Sequence, residues 1–126
     1  MEMTSRQKAA VICKALIEHK ALDLKVLAID KLTPIADFFV IASGSSDRQL
    51  QAMADAVEES MSKLGIEPKH TEGKGNMVWS LMDYGDVVVH LFDLENRKFY
   101  DLDHIWVDGI PVDTEALAAE TPAAEE

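Results

Sequence analysis

The stretch from Ala42 to Asp47 has the residue types of a phosphate-binding site. A short apolar run ends there at a Ser-Gly-Ser-Ser sequence, and an amphipathic stretch follows. Glycine and hydroxyl side chains at the start of a helix can bind an anion, because the first backbone N–H groups of a helix have no partner within it. Capping of the helix by Ser45 or Ser46 needs the same residues without any ligand, and it is the interpretation we favour.

Gly44-Ser45 is also similar to the glycine–serine pair of nucleotidyltransferases, which need further carboxylates to hold magnesium against a triphosphate. The only acid at about the expected distance is Asp55, which lies inside the amphipathic stretch. Asp101-Leu102-Asp103 comes too late in the chain and is better explained as the cap of a helix. The sequence therefore predicts a protein that is not an enzyme, and a nucleotidyltransferase-like enzyme using Gly44-Ser45 is the alternative.

The histidines and the single cysteine do not indicate a metal site. No two of His19, His70, His90 and His104 have the spacing that places two ligands on one helix face. His90 falls in a valine-rich run, where a hydrogen-bonded core histidine is expected. Cys13 lies on an apolar stripe and is expected to pack in the core. The sequence therefore predicts no metal, no cofactor and no disulfide framework.

The candidate protein-binding residues lie between positions 79 and 86. Trp79, Leu81 and Asp83 alternate along a predicted strand and therefore share one face of it. Tyr84 is expected at a turn, where no core can enclose it. An aromatic side chain beside the carboxylates of Asp83 and Asp86 is typical of an interface with a basic protein. Burial of Trp79 in the core explains the same pattern equally well.

The candidate residues must be positioned by helices and strands, which the sequence pattern predicts as follows. The sequence predicts a helix at 5–20, a helix from Ser46 to a stop at Gly65, and a last helical turn after Asp101. Strands are predicted at 24–29, 38–42, 77–83 and 86–92, with an edge strand at best at 69–72. The continuous apolar run 38–42 is typical of a strand buried on both faces. This order predicts an α/β (α+β) fold with one mixed sheet of about five strands flanked by helices.

Length and composition bound the domain organisation. The chain has 126 residues, of which 48% are hydrophobic, and this suits a single packed domain. There is no apolar run of about 18 residues, so no membrane span is expected, and a single cysteine suits the reducing cytoplasm. Beyond Asp113 the apolar periodicity ends. We therefore predict one domain at 1–112 and a disordered acidic tail at 113–126.

The net charge of −11 is concentrated toward the C-terminus. Residues 1–69 hold 10 acids and 9 bases, residues 70–112 hold 8 acids and 3 bases, and residues 113–126 hold 5 acids and no base. A surface this acidic should be repelled by bare nucleic acid. The charge therefore predicts no direct nucleic-acid binding and favours a basic protein partner.

Two long motifs resemble the signatures of the ribosomal silencing factor family, also called RsfS or Iojap. The first runs from Asp37 to Gln49 as DFFVIASGSSDRQ and continues through 52–59. The second comprises Glu72-Gly73, Trp79, DYGDVVVH at 83–90, FYDL at 99–102 and Trp106. The match extends from about Ala10 to Val112.

The resemblance implies a fold distantly similar to nucleotidyltransferases but without their catalytic carboxylates. It implies binding to the fourteenth protein of the large ribosomal subunit, on the face that meets the small subunit. Subunit joining would then be blocked sterically, which would repress translation in nutrient shortage or stationary phase. The resemblance also implies a possible homodimer, and it places the ribosome contact at Trp79 and the turn from Asp83 to Asp86.

Overall fold

The computed structural model of the protein describes residues 4–72, 79–94 and 109–120, and of Trp79 it describes the backbone alone. These residues are called the described part below. They form six strands, β1 (Leu22–Ala28), β2 (Phe38–Gly44), β3 (His70–Glu72), β4 (Trp79–Asp83), β5 (Val87–Asp93) and β6 (Ile110–Val112). They also form three helices of six or more residues, α1 (Ser5–Glu18), α2 (Asp47–Ser62) and α3 (Thr114–Ala119). Within the described part, no helix is long and apolar enough to cross a membrane.

The strands form one sheet in the order β3-β4-β5-β2-β1-β6. Strands β2 and β5 are parallel and pair from Phe38↔Val87 to Gly44↔Asp93, whereas the other neighbours pair antiparallel. The predicted single mixed sheet is thus confirmed, and β3 is at its edge as expected. The sixth strand, β6, is three residues long and contains Pro111, so its sequence pattern was too short to predict it.

Strand β2 is buried along all seven residues, as its continuous apolar sequence predicts. Its side chains alternate between two cores. The helix-side core contains Val40 and Ala42 with the buried faces of α1, α2 and α3. The far-side core lies on the opposite face of the sheet and contains Leu27, Ile29, Ala36, Phe39, Ile41 and Phe92.

Both long helices have ends that the sequence encodes. Thr4 caps α1 through a capping box with Gln7, in which each side chain accepts a hydrogen bond from the other residue's backbone N–H. Helix α2 ends in a Schellman arrangement at Gly65, whose φ is +78°, with the Ile66 N–H donating to Met61 O. Of the apolar residues at helical spacing in α1, Ala9, Ile12, Cys13 and Leu16 are buried, whereas Ile17 is 39% exposed.

The prediction that the whole segment 113–126 is disordered is wrong, because Thr114–Ala119 form α3. Asp113 caps this helix by accepting hydrogen bonds from two backbone N–H groups. Leu117 is fully buried in the helix-side core, and Arg6 binds Glu120 through two hydrogen bonds of 2.8 Å. A helix with one buried leucine has no apolar periodicity to find, and α1 supplies the surface that buries it. Residues 121–126 lie outside the described part.

Replacing Leu117 by Ala should lower the free energy of unfolding by about 2–5 kcal/mol, because the side chain is fully buried. The matched control is Leu32→Ala, since Leu32 is 46% exposed and its truncation should change stability by less than about 0.5 kcal/mol. Urea unfolding of both variants measures the difference. Equal, small effects of the two substitutions would show that α3 does not pack on the domain.

Candidate protein-binding site at the hairpin turn

The candidate site is built on the turn between β4 and β5, here called the 83–86 turn (Asp83 to Asp86). The strands pair with Asp83 opposite Val88, and the Tyr84 N–H donates to Val87 O at 2.9 Å. Gly85 and Asp86 are therefore the two central residues, and Gly85 has a φ of +91°. A glycine at the first central position is typical of the tight type II′ hairpin. The sequence predicted Tyr84-Gly85 as the loop, one residue before the observed pair Gly85-Asp86.

This shift corrects the prediction for Tyr84, which is buried and not exposed at the turn. Tyr84 is 2% exposed and lies in the helix-side core with Met82, two residues before it. Residues two apart in a strand share a face, so pairing of Tyr84 with Val87 turns the ring toward the helices. Burial, followed by the charges of Glu58 and Glu67, raises the pKa of the Tyr84 hydroxyl. Its oxygen has no hydrogen-bond partner in the described part.

The Asp83 side chain binds the backbone within the turn. Its Oδ1 accepts a hydrogen bond of 2.7 Å from the Gly85 N–H, and its backbone oxygen accepts one of 2.7 Å from the Lys69 N–H. An aspartate that binds the backbone two residues ahead is a common device for fixing a turn. Asp83 is half-buried, so its carboxylate has a structural role in addition to any contact with a partner.

Asp86 joins the turn to two other elements. Its Oδ1 lies 3.0 Å from Nζ of Lys8 in α1. Its backbone oxygen accepts hydrogen bonds from the N–H groups of Asp37 and Phe38 at the start of β2, at 2.8 and 3.2 Å. Together with the bond from the Lys69 N–H to Asp83, these contacts hold the turn through three other segments of the chain.

The turn is less acidic than its sequence suggests. A Cβ built on Gly85 would lie 3.1 Å from Nζ of Lys69, so that ammonium lies beside the turn while Lys8 binds Asp86. Two lysines thus accompany the two aspartates. Lys8 gave no sequence signal, because it is 78 residues from Asp86.

The remaining predicted contact residues lie on β4. Leu81 is half-buried and pairs with His90, and the backbone of Trp79 pairs with Phe92. Strand alternation places Leu81 and Asp83 on the far side of the sheet, opposite α1 and α2. The side chain of Trp79 lies outside the described part, so its assignment to an interface stays a prediction.

His90 lies on the far side of the sheet, opposite Leu81 in the neighbouring strand. It is 5% exposed, and its ring packs edge-on against Phe39 and parallel to Phe92, with centroid distances of 4.9 and 6.4 Å. Burial lowers the pKa of His90 to about 4. Its predicted place in the core is confirmed. The predicted packing of Cys13 is confirmed too, since it is fully buried and burial raises its thiol pKa to about 11.

At the Gly44-Ser45 junction the structure shows a capped helix. Ser46 accepts a hydrogen bond from the Gln49 N–H, as predicted. The Gln49 side chain does not complete a capping box; its Oε1 accepts from Ser45 N–H and hydroxyl, and its Nε2 donates to Lys20 O. These bonds tie the start of α2 to the end of α1. In the described part no three His, Cys, Asp or Glu side chains are grouped to hold a metal; residues 101–103 lie outside it.

An acidic groove on α2 was not predicted from the sequence. It is open, has a volume of about 440 Å³, and is lined by Asp55, Glu58, Glu59, Ser62, Lys63 and Glu67. The signal was the spacing of three and four residues, which places positions 55, 58, 59 and 62 on one side of a helix. The groove adds acidic surface outside the 83–86 turn.

Comparisons with known proteins bear on this geometry. A family model described as "Ribosomal silencing factor during starvation" matches residues 2–126. The chain is 35% identical to "Ribosomal silencing factor RsfS" of Halalkalibacterium halodurans over 115 residues, 91% of this chain and 98% of that protein. It is 32% identical to "Protein Iojap, chloroplastic" of Zea mays over 105 residues, 83% of this chain and 46% of that protein. A Chromobacterium violaceum crystal structure has a TM-score of 0.79 at 32% identity, covering 83% of this chain and 88% of that chain.

The buried His90 predicts a pH dependence of stability. The unfolded imidazole binds a proton below about pH 6.5, whereas the folded one does so only near pH 4, so protonation favours unfolding between these values. As the pH is lowered from about 6.5 to about 4, the free energy of unfolding should fall by up to about 3 kcal/mol. His90→Gln should remove this component, and His70→Gln, at an exposed histidine, should retain it. Identical pH profiles for the parent and His90→Gln in urea unfolding would contradict the prediction.

Proposed function

The chain belongs to the ribosomal silencing factor family, and we propose that it binds the large ribosomal subunit through that subunit's fourteenth protein and blocks joining with the small subunit. The observation that carries this proposal is the match to the family model over residues 2–126. Translation would be repressed in nutrient shortage or stationary phase by occlusion, which requires no catalytic group. A location in the cytoplasm, where free ribosomal subunits are available to bind, is part of this proposal. A homodimer stays a prediction.

The rigidity of the 83–86 turn supports its use as a contact. Hydrogen bonds and an ion pair from residues 8, 37, 38 and 69 hold the turn in one conformation. A surface that is already ordered loses less conformational entropy when it binds. We propose that Trp79, Leu81, Asp83 and Asp86 form the contact, and that Tyr84 supports the turn from the core.

The charge distribution supports a basic partner. A ribosomal protein must carry Lys and Arg to neutralise RNA phosphates, and this chain has a net charge of −11. The carboxylates of the α2 groove add to the field that attracts such a partner over distance. Attraction of this kind affects mainly the association rate and weakens with salt.

Nucleotide chemistry at Gly44-Ser45 receives no comparable support. The backbone N–H and hydroxyl of Ser45 already bind Gln49, and Ser46 caps α2. Asp55 does not support nucleotide chemistry either, since its side chain accepts a hydrogen bond from Gln51 on the outer side of α2.

The protein should sediment with free large ribosomal subunits and reduce their joining to small subunits in vitro. Binding should weaken as salt rises, because acidic and basic surfaces meet. Sucrose-gradient sedimentation with each purified subunit measures both effects, and the small subunit alone is the control. Sedimentation with small subunits only, or with neither subunit, is the result that excludes this function.

Truncation of Trp79 tests the contact surface. As an interface anchor, Trp79→Ala should weaken binding by about 2 kcal/mol or more, while stability changes by much less than the 3–5 kcal/mol typical of a buried tryptophan. Met82→Ala is the matched control, because Met82 lies on the same strand, faces the helix-side core and is 1% exposed. That control should lose about 2–5 kcal/mol of stability while its folded fraction binds normally. The same pattern in Trp79→Ala would place the tryptophan in the core.

A further inference from the structure

Lys8 is the charged side chain that connects α1 to the 83–86 turn. Its Nζ lies 3.0 Å from Asp86 Oδ1, and the side chains of Lys8 and Asp86 are 18% and 35% exposed. A partly buried ion pair is screened less by salt and solvent than a fully exposed one. The pair therefore restricts the Asp86 carboxylate more than a surface pair would.

The Asp86 backbone is fixed as well. Its carbonyl accepts hydrogen bonds from Asp37 and Phe38, and the neighbouring Gly85 N–H binds Asp83. With the backbone held by these bonds, the remaining freedom of Asp86 is rotation of its side chain. The bond from Lys8 limits that rotation.

We propose that Lys8 is a positioning residue for the partner contact: it orients the Asp86 carboxylate before binding, so that the complex forms on an ordered turn. This inference rests on the proposed function. Without Lys8, the carboxylate must be ordered when the complex forms, and this weakens the complex chiefly through faster dissociation.

Lys14 provides a matched control on the same helix. It is exposed and, like Lys8, contributes one positive charge. Lys8→Met and Lys14→Met should therefore increase the rate of association with a basic partner to a similar, small extent. Only Lys8→Met should increase the dissociation rate, by roughly three- to tenfold, the range expected for ordering one side chain. Lys8→Arg should dissociate like the parent, because a guanidinium also binds a carboxylate.

The experiment is surface-immobilised binding of each variant to purified large ribosomal subunits, with association and dissociation rates measured separately. Dissociation reports only on bound, folded molecules, so partial unfolding of a variant does not affect it. In an Asp86→Asn background, Lys8→Met should lose its effect on dissociation. Equal dissociation rates for Lys8→Met and Lys14→Met, or an undiminished effect in that background, would overturn the inference alone. If the parent does not bind, the proposed function fails and the inference fails with it.

Discussion

The parallel pairing of β2 with β5 is the constraint on which the rest of the structure depends. Because the two strands are parallel, both begin at the same end of the sheet, with Phe38 opposite Val87. The turn that precedes Val87 must therefore lie beside the residues that precede Phe38. The bonds from Asp37 and Phe38 to Asp86 follow directly from that register. A parallel pair in a mixed sheet also needs cover on both faces, and β2 accordingly contributes to both cores.

Charge in this protein has two separate roles. At the 83–86 turn, carboxylates are used to fix structure: Asp83 binds the backbone of Gly85, and Asp86 binds Lys8. On the exposed side of α2, carboxylates line an open groove and contribute to the long-range field. Net charge therefore describes how the protein attracts a basic partner, but it does not identify which acids make the contact.

Helix α1 connects the ends of the chain to the candidate site. Its first turns carry Arg6, which binds Glu120 after α3, and Lys8, which binds the 83–86 turn. Its apolar face buries Cys13, whose Sγ donates a hydrogen bond to Thr114 O. A change in the C-terminal segment can therefore affect the surface proposed to bind the ribosome through α1, although the two are on different elements.

The sequence by itself determined the features that depend on local patterns. The buried run of β2, the cap at Ser46 and the stop at Gly65 each involve residues within a few positions of one another. Tertiary structure decided the burial of Tyr84, because its pairing with Val87 extends the strand by one residue and places the ring on the same face as Met82, under the helices. It also decided the order of α3 and the role of Lys8, since Leu117 and Lys8 acquire their partners only when distant segments pack together. Burial and ion pairing across such distances leave no periodicity in the sequence, and only the folded chain brings the residues together.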